Sequence, residues 1–91
     1  MDNNNQMISW MADEVLEILN GIRNSERKII LETLKKGPEI FLECYFIDVE
    51  DLCTIFVMSK NETAPNFDSV EIQKGVVKSL QRKLRGEIVL L

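Results

Sequence analysis

The sequence predicts a small α+β domain whose elements follow the order helix, strand, strand, helix, strand. Apolar residues recur at helical spacing before residue 37, and again between residues 72 and 84. Between these stretches lie two short runs rich in β-branched and aromatic side chains, which are typical of strands. At 91 residues with 45% apolar content, the chain can bury one modest core and is too short for two domains.

The chain starts with a polar stretch, residues 1–6, which we expect to be a flexible tail, so that the domain covers residues 7–91. From Ile8 to Ile22, apolar side chains recur at three- and four-residue steps, which predicts a helix. Residues 6–12 would also suit a strand. The helix is favoured because the polar residues that follow continue its pattern without any turn chemistry.

Poor helix formers interrupt this pattern at residues 20–25, where Asn-Gly is followed by Asn-Ser. A second apolar stripe then runs to residues 35–38, Lys-Lys-Gly-Pro, which is a typical helix stop. One kinked helix and two short helices are both compatible with this sequence.

Two strands are expected next, at residues 39–47 (EIFLECYFI) and 52–58 (LCTIFVM). Residues 48–51 form a short acidic connection between them. Their length and composition predict an antiparallel hairpin.

The first strand would be apolar on both faces, with Phe41, Glu43, Tyr45 and Ile47 sharing one of them. A sheet covered by helices on one side needs only one apolar face, so Phe41, Tyr45 and Ile47 are candidate contacts for a dimer or a partner. Trp10, beside two methionines, is a further candidate interface residue. Alternatively, the chain's own loops cover the second face and Trp10 closes the core.

Residues 59–67 carry turn formers and a proline, which predicts a loop. Asp68 and Glu71 then form a capping-box signature, and the helix that follows is expected to end at Gly86. Residues 87–91, Glu-Ile-Val-Leu-Leu, are expected to form a buried strand. The apolar face of the helix consists of Ile72, Val76, Leu80 and Leu84.

Together these elements predict a ferredoxin-like sandwich with its helices on one face of an antiparallel-rich sheet. The first strand of the β-α-β-β-α-β pattern would be missing or disguised. The second helix would serve as a right-handed crossover that returns the chain parallel to the preceding strand.

The chain is acidic, with 15 acidic and 11 basic residues, a net charge of −4 and no histidine. This balance argues against general affinity for nucleic acid or anionic membranes. Without histidine, the commonest general base and zinc ligand is missing, and we predict no catalytic residue, no metal and no cofactor. Neither a secretory signal nor a long apolar run is present, so the expected location is the cytoplasm.

Glu43 is a candidate pocket residue because it lies within an otherwise apolar run. If its face were covered, burial would raise its pKa and make it an acid or a base, and Tyr45 on the same face would orient a ligand. The alternatives are a charge partner or an exposed sheet edge for Glu43, and packing for Tyr45.

A basic stripe is predicted along the second helix, where four cations are spaced to share one face. Such a stripe would bind phosphates or an acidic partner surface, and its alternative role is to keep an exposed helix soluble. The stripe consists of Lys74, Lys78, Arg82 and Arg85.

The two cysteines, Cys44 and Cys53, have neither a redox nor a zinc spacing, and we interpret both as buried residues on strands. If the two strands paired, the cysteines would lie nearly opposite each other, which would allow a disulfide.

The runs DEVLEILNGIRNSERKIILETLKKG, EIFLECYFID and LCTIFVMSK, within residues 13–60, resemble small uncharacterised members of the dimeric α/β-barrel superfamily. The resemblance implies a homodimer whose two-chain sheet encloses a pocket between sheet and helices. Some members of that superfamily are monooxygenases or haem-handling enzymes. The missing histidine sets this chain apart from the haem-binding members.

The functional hypothesis is therefore a non-enzymatic protein-interaction module, an acidic homodimer that binds a larger protein as an inhibitor or regulator. The alternative is a small-molecule enzyme or binding protein of the dimeric α/β-barrel type, with Glu43 and Tyr45 in its pocket. Nucleic-acid binding through the basic stripe is disfavoured by the acidic remainder of the chain.

Overall fold

The computed structural model describes residues 3–91, and the regular elements within them are six helices. None of these helices has the length and apolar character needed to cross a membrane. In chain order the helices are α1 (Asn3–Asn20), α2 (Asn24–Lys36), α3 (Pro38–Cys44), α4 (Val49–Lys60), α5 (Ser69–Lys83) and α6 (Arg85–Val89).

The predicted α+β fold is wrong, because residues 3–91 contain no strand and therefore no sheet. The ferredoxin-like sandwich and the resemblance to the dimeric α/β-barrel superfamily are overturned with it. Residues 39–47, expected to be the first strand, form most of α3 and the segment after it, and residues 52–58 lie within α4. The terminal residues 87–91, expected to be a buried strand, form the end of α6 and are mostly exposed.

The acidic connection of the predicted hairpin is in fact the start of a helix. Asp48 is the N-cap of α4, and its carboxylate accepts a hydrogen bond from the backbone N–H of Asp51 at 3.0 Å. The buried residues that follow, Val49, Cys53 and Phe56, recur at steps of four and three, which is helical spacing. Composition favoured a strand here, whereas capping and burial spacing both agree with a helix.

The predicted second helix is confirmed as α5, which begins after Asp68 as its sequence indicates. The Asp68 carboxylate accepts hydrogen bonds from the backbone N–H groups of Val70 and Glu71, at 2.9 and 3.3 Å. The helix ends at Lys83, before the expected Gly86, and α6 follows after Leu84. Its apolar stripe is buried as predicted: Ile72, Val76, Leu80 and Leu84 are each at most 6% exposed.

The N-terminal helical pattern corresponds to two helices, α1 and α2, separated by residues 21–23. Residues 6–12 lie in α1, as favoured over a strand. Residues 3–6, expected to belong to a tail, form the first turn of α1, and residues 1–2 lie outside the described residues. At the end of α2, Gly37 adopts a φ of 118°, a backbone conformation that L side chains rarely adopt, and Pro38 starts α3.

Helix α5 is central to the core and contacts each of the other five helices. Its approach to α1 is close at Gly75, where a Cβ atom would lie 2.9 Å from Cδ1 of Ile8. A glycine allows two helices to approach closely because it places no side chain between their backbones. The largest fully buried side chains are Met7, Met11, Leu34, Val49, Val76, Val77 and Leu80.

Polar contacts fix the helices at the rim of this core. Lys83 on α5 donates from Nζ to the Asp13 carboxylate and to Ser9 on α1. Gln81 donates from Nε2 to the carbonyl oxygen of Leu34 at 2.7 Å, which joins α5 to α2. Arg27 on α2 forms an ion pair with Glu87 on α6 at 2.7 Å.

Candidate functional site

An apolar groove opens on the surface formed by α1, α2, α3 and the start of α4, with a volume of about 370 Å³. Each of these helices contributes at least one apolar side chain to it, and the segment between α3 and α4 contributes more. We call it the apolar groove; it is lined by Val15, Ile18, Leu19, Ile30, Phe41, Tyr45, Phe46, Ile47, Asp48, Asp51 and Leu52.

Two of the lining side chains remain largely in water although they are strongly apolar. Phe46 is 77% exposed, and Ile18 is 66% exposed. The floor is better packed: Phe41 is 4% exposed, and its ring lies 5.0 Å from the ring of Tyr45, one helical turn further along the chain. The groove therefore combines a fixed aromatic floor with exposed apolar edges, which is the composition of a contact surface.

The charge of the apolar groove has a single sign. Among the described residues that line it, the charged ones are Asp48 and Asp51. Because Asp48 caps α4 through the backbone of Asp51, its carboxylate is fixed at this position rather than free to turn away. A ligand of this groove would thus meet apolar side chains and two carboxylates.

Three of the four predicted interface residues line this groove, namely Phe41, Tyr45 and Ile47. They come together through α3 and the segment after it, not through a strand face. Trp10 lies elsewhere, half-buried, with its ring edge-on to Phe56 at 5.5 Å. It borders a separate depression of about 410 Å³ together with Asp13 and Lys60.

The two predicted pocket residues are placed differently. Tyr45 lines the apolar groove, whereas Glu43 is exposed on α3 and does not line it. Residues two apart share a strand face but not a helix face, which separates this pair. Sequence reasoning missed Ile18 and Phe46: the adjacent Ile18 and Leu19 could not both face the core, and that conflict was the available signal.

A third depression, of about 470 Å³, lies between the C-terminal parts of α2 and α5 and helix α6. It contains three of the four residues of the predicted basic stripe, and Lys35 from α2 joins them. Lys74 is half-buried and does not line it. We call it the basic groove; it is lined by Leu34, Lys35, Lys78, Gln81, Arg82, Arg85, Ile88 and Val89.

The cysteines are both free, and they differ in environment. Cys44 is exposed at the end of α3, whereas Cys53 is buried in α4 at 5% exposure, so the interpretation of both as buried strand residues is wrong. Burial raises the pKa of the Cys53 thiol above its ordinary value. The unfolded chain then loses this proton at a lower pH than the folded one, so the contribution of Cys53 to stability declines as the pH rises past its unfolded-state pKa.

We expect a thiol reagent such as DTNB to modify Cys44 rapidly in the native protein and Cys53 only after unfolding. Access explains the difference, because the reagent must reach a thiolate and Cys53 is enclosed among core side chains. The measurement is the absorbance of the coloured thiolate that DTNB releases, followed with time in buffer and in denaturant. Cys44→Ser should leave the native protein nearly unreactive, and equal rates for both thiols in the wild type would contradict the burial of Cys53.

Within residues 3–91, no three cysteine, aspartate or glutamate side chains are arranged so that they could hold a metal ion together. Comparison of the chain with protein-family models, with curated proteins and with solved structures found no match. The two grooves and their chemistry are therefore the features of the described residues that point to a function.

Proposed function

We propose that this chain is a protein-interaction module that binds a basic amphipathic helix of a larger partner in its apolar groove. The observation that carries this proposal is the composition of the groove, whose lining is apolar except for Tyr45 and two aspartates. An acidic module of this size would act as a regulator that covers a basic, apolar surface on its partner.

The apolar part of the proposal rests on Phe46 and Ile18. Both are largely exposed, and both border the groove. Covering a large apolar side chain that was in water contributes about 2 kcal/mol, so a partner that buries both gains substantial affinity from them. Aromatic side chains that a partner covers completely are typical anchors of binding.

The charge part rests on Asp48 and Asp51. Lysine or arginine beside the apolar side chains of a partner would face these two carboxylates, and the net charge of −4 would favour the approach of a basic segment. A helix is the expected form of that segment, because the described residues offer no strand edge to extend and an apolar groove between helices suits an amphipathic helix.

Two other occupants fit less well. A second copy of this chain, presenting the same surface across a two-fold axis, would bring the aspartates of both copies towards one contact. The volume of the groove is compatible with a small molecule, but such a site encloses most of its ligand, whereas Phe46 and Ile18 leave the edges of this groove open to solvent. Glu43, the predicted acid or base, lies outside the groove.

The test uses two labelled synthetic peptides that form amphipathic helices, one of leucine and lysine and one of leucine and glutamine. We expect the lysine peptide to bind more tightly, because only it places cations beside Asp48 and Asp51. Phe46→Asp should weaken its binding by about tenfold or more, as for loss of an anchor residue. Fluorescence anisotropy measures both affinities.

Met58→Asp is the matched control, because Met58 is 76% exposed and lies outside the apolar groove. It introduces the same charge and should change the affinity by less than about twofold. Asp51→Asn should reduce the preference for lysine over glutamine while leaving the apolar contribution in place. Equal loss of binding in the Phe46 and Met58 variants would contradict the proposal.

The oligomeric state provides a second test. Light scattering after size-exclusion chromatography should give a monomer at the concentration of the peptide assay. A wild-type dimer that Phe46→Asp dissociates would overturn the heterologous partner, since a second copy would then occupy the groove.

A further inference from the structure

We infer that the basic groove is a second binding site, which takes a carboxylate-rich segment of a partner protein. This site is separate from the proposed function of the apolar groove. It is lined by four cations that come from three helices, Lys35 from α2, Lys78 and Arg82 from α5, and Arg85 from α6. No carboxylate of the described residues lines it.

Among the residues that the structure describes, none forms an ion pair with a cation of the basic groove. Three ion pairs join side chains within residues 3–91, and each uses a cation outside the groove: Arg23, Arg27 and Lys83. Lys83, also on α5, differs from the groove cations because it is paired with the Asp13 carboxylate on α1. The four groove cations have no such partner within residues 3–91, so an incoming carboxylate would displace no ion pair of this part of the chain.

Stabilisation of helix ends explains only part of this clustering. Lys35 and Arg82 lie in the last turns of α2 and α5, where a positive charge is favourable. Lys78 lies more than a turn before the end of α5, and Arg85 is the first residue of α6, where a positive charge is unfavourable. The convergence of all four on one depression therefore points to a ligand.

The rest of the lining favours a protein segment over a nucleic acid. Leu34, Ile88 and Val89 give the basic groove an apolar part, and Val89 is 71% exposed. No aromatic side chain of the described residues lines it, so bases would have no ring on which to stack. The net charge of −4 also repels a long polyanion. A peptide segment in which carboxylates alternate with apolar side chains would match both the cations and the apolar residues of the lining.

The site also has a fixed frame. Gln81 lines the groove and donates to the carbonyl oxygen of Leu34, so that α2 and α5 are joined at this site. The helices that carry Lys35, Lys78 and Arg82 are thereby joined, and the groove does not have to form when the ligand binds.

The experiment measures the binding of a labelled peptide of alternating glutamate and leucine, with glutamine replacing glutamate in the control peptide. We expect the wild type to bind the glutamate peptide selectively, and binding to weaken as salt rises. Lys78→Glu with Arg82→Glu should weaken it by about tenfold or more, since two attractive charges become repulsive. Both side chains are exposed, and circular dichroism checks the fold.

Arg23→Glu with Lys28→Glu is the matched control, because it changes the net charge equally at exposed positions outside the basic groove. It should alter the affinity by less than about twofold. If the double variant of α5 fails to fold, Arg85→Gln serves in its place, with a smaller expected loss. Phe46→Asp should leave this binding unchanged, so failure here is distinguishable from failure of the apolar groove.

Three results would overturn the inference. These are no binding of the glutamate peptide to the wild type, equal binding to the wild type and the double variant, and tighter binding of single-stranded oligothymidylate than of the peptide. The last would identify a nucleic-acid site in place of a protein site.

Discussion

Leu80→Ala is expected to lower the free energy of unfolding by about 3 kcal/mol, the cost of lost apolar burial and of the cavity left behind. Leu80 is fully buried, and it lies on the helix that contacts all five others. Small domains are stable by only about 5–15 kcal/mol, so this single change removes a large share of the total. Urea denaturation followed by circular dichroism measures it.

Leu90→Ala provides the matched control for this prediction. It removes the same atoms from a side chain that is 86% exposed, and the expected change is below about 0.5 kcal/mol. Similar losses for the two variants would show that Leu80 is not at the centre of the core, and the arrangement of the helices around α5 would be wrong.

The part of the fold that the sequence predicts well is the part where several local signals agree. In α5, a capping residue, a helical apolar stripe and basic residues near the end all indicate the same element. The N-terminal half is similar, since Asn-Gly and Lys-Lys-Gly-Pro mark the ends of α1 and α2. When the N-cap residue, the apolar periodicity and the helix-stop residues agree, they predict a helix more reliably than any one of these signals alone.

Residues 39–58 could not be assigned from composition, because their β-branched and aromatic side chains suit a buried helix as well as a strand. The signals that indicate a helix are the spacing of Val49, Cys53 and Phe56 and the cap at Asp48. An aspartate can cap a helix or lie in a turn, so Asp48 alone does not distinguish the two. The last residues were misassigned for another reason. Val89 and Leu90 are apolar but largely exposed, and nothing in a sequence states what covers a side chain.

Several residues that line the two grooves were singled out from the sequence, although the reasoning for those at the apolar groove assumed a sheet. Phe41, Tyr45 and Ile47 were chosen because a sheet covered on one side needs only one apolar face. All three line the apolar groove, but Phe41 and Ile47 are buried, at 4% and 7% exposure. Phe46 would lie on the opposite face of the expected strand, so it was not among the candidates, yet at 77% exposure it is the most exposed of these side chains. The basic stripe was visible from spacing along α5, but Lys35 required the tertiary structure, since it comes from α2.

The two grooves share one helix. Ile30 of α2 lines the apolar groove, and Leu34 and Lys35, about one turn later, line the basic groove. The two sites have opposite charge, so each would reject the ligand of the other. A partner with a basic amphipathic helix and an acidic segment would engage both at once, and its affinity would then exceed that of either segment alone.

Gly75→Leu is expected to lower the free energy of unfolding by about 2 kcal/mol, because it overfills the contact between α5 and α1. Even the first added atom, Cβ, would lie 2.9 Å from Cδ1 of Ile8 and 3.6 Å from its Cγ1 and Cγ2. A longer side chain must therefore push Ile8 aside or separate the two helices. Thermal and urea denaturation measure the loss.

Gly75→Ala separates crowding from helix propensity. Alanine gains about 1 kcal/mol over glycine inside a helix, and its single methyl group meets only the flexible end of Ile8, so the net change should be small. Ile8→Ala alone should be destabilising, yet combined with Gly75→Leu it makes room for the new side chain. The double variant is thus expected to be more stable than the sum of the single changes implies. Strict additivity would mean that these two positions do not touch, and would contradict the packing of α1 against α5.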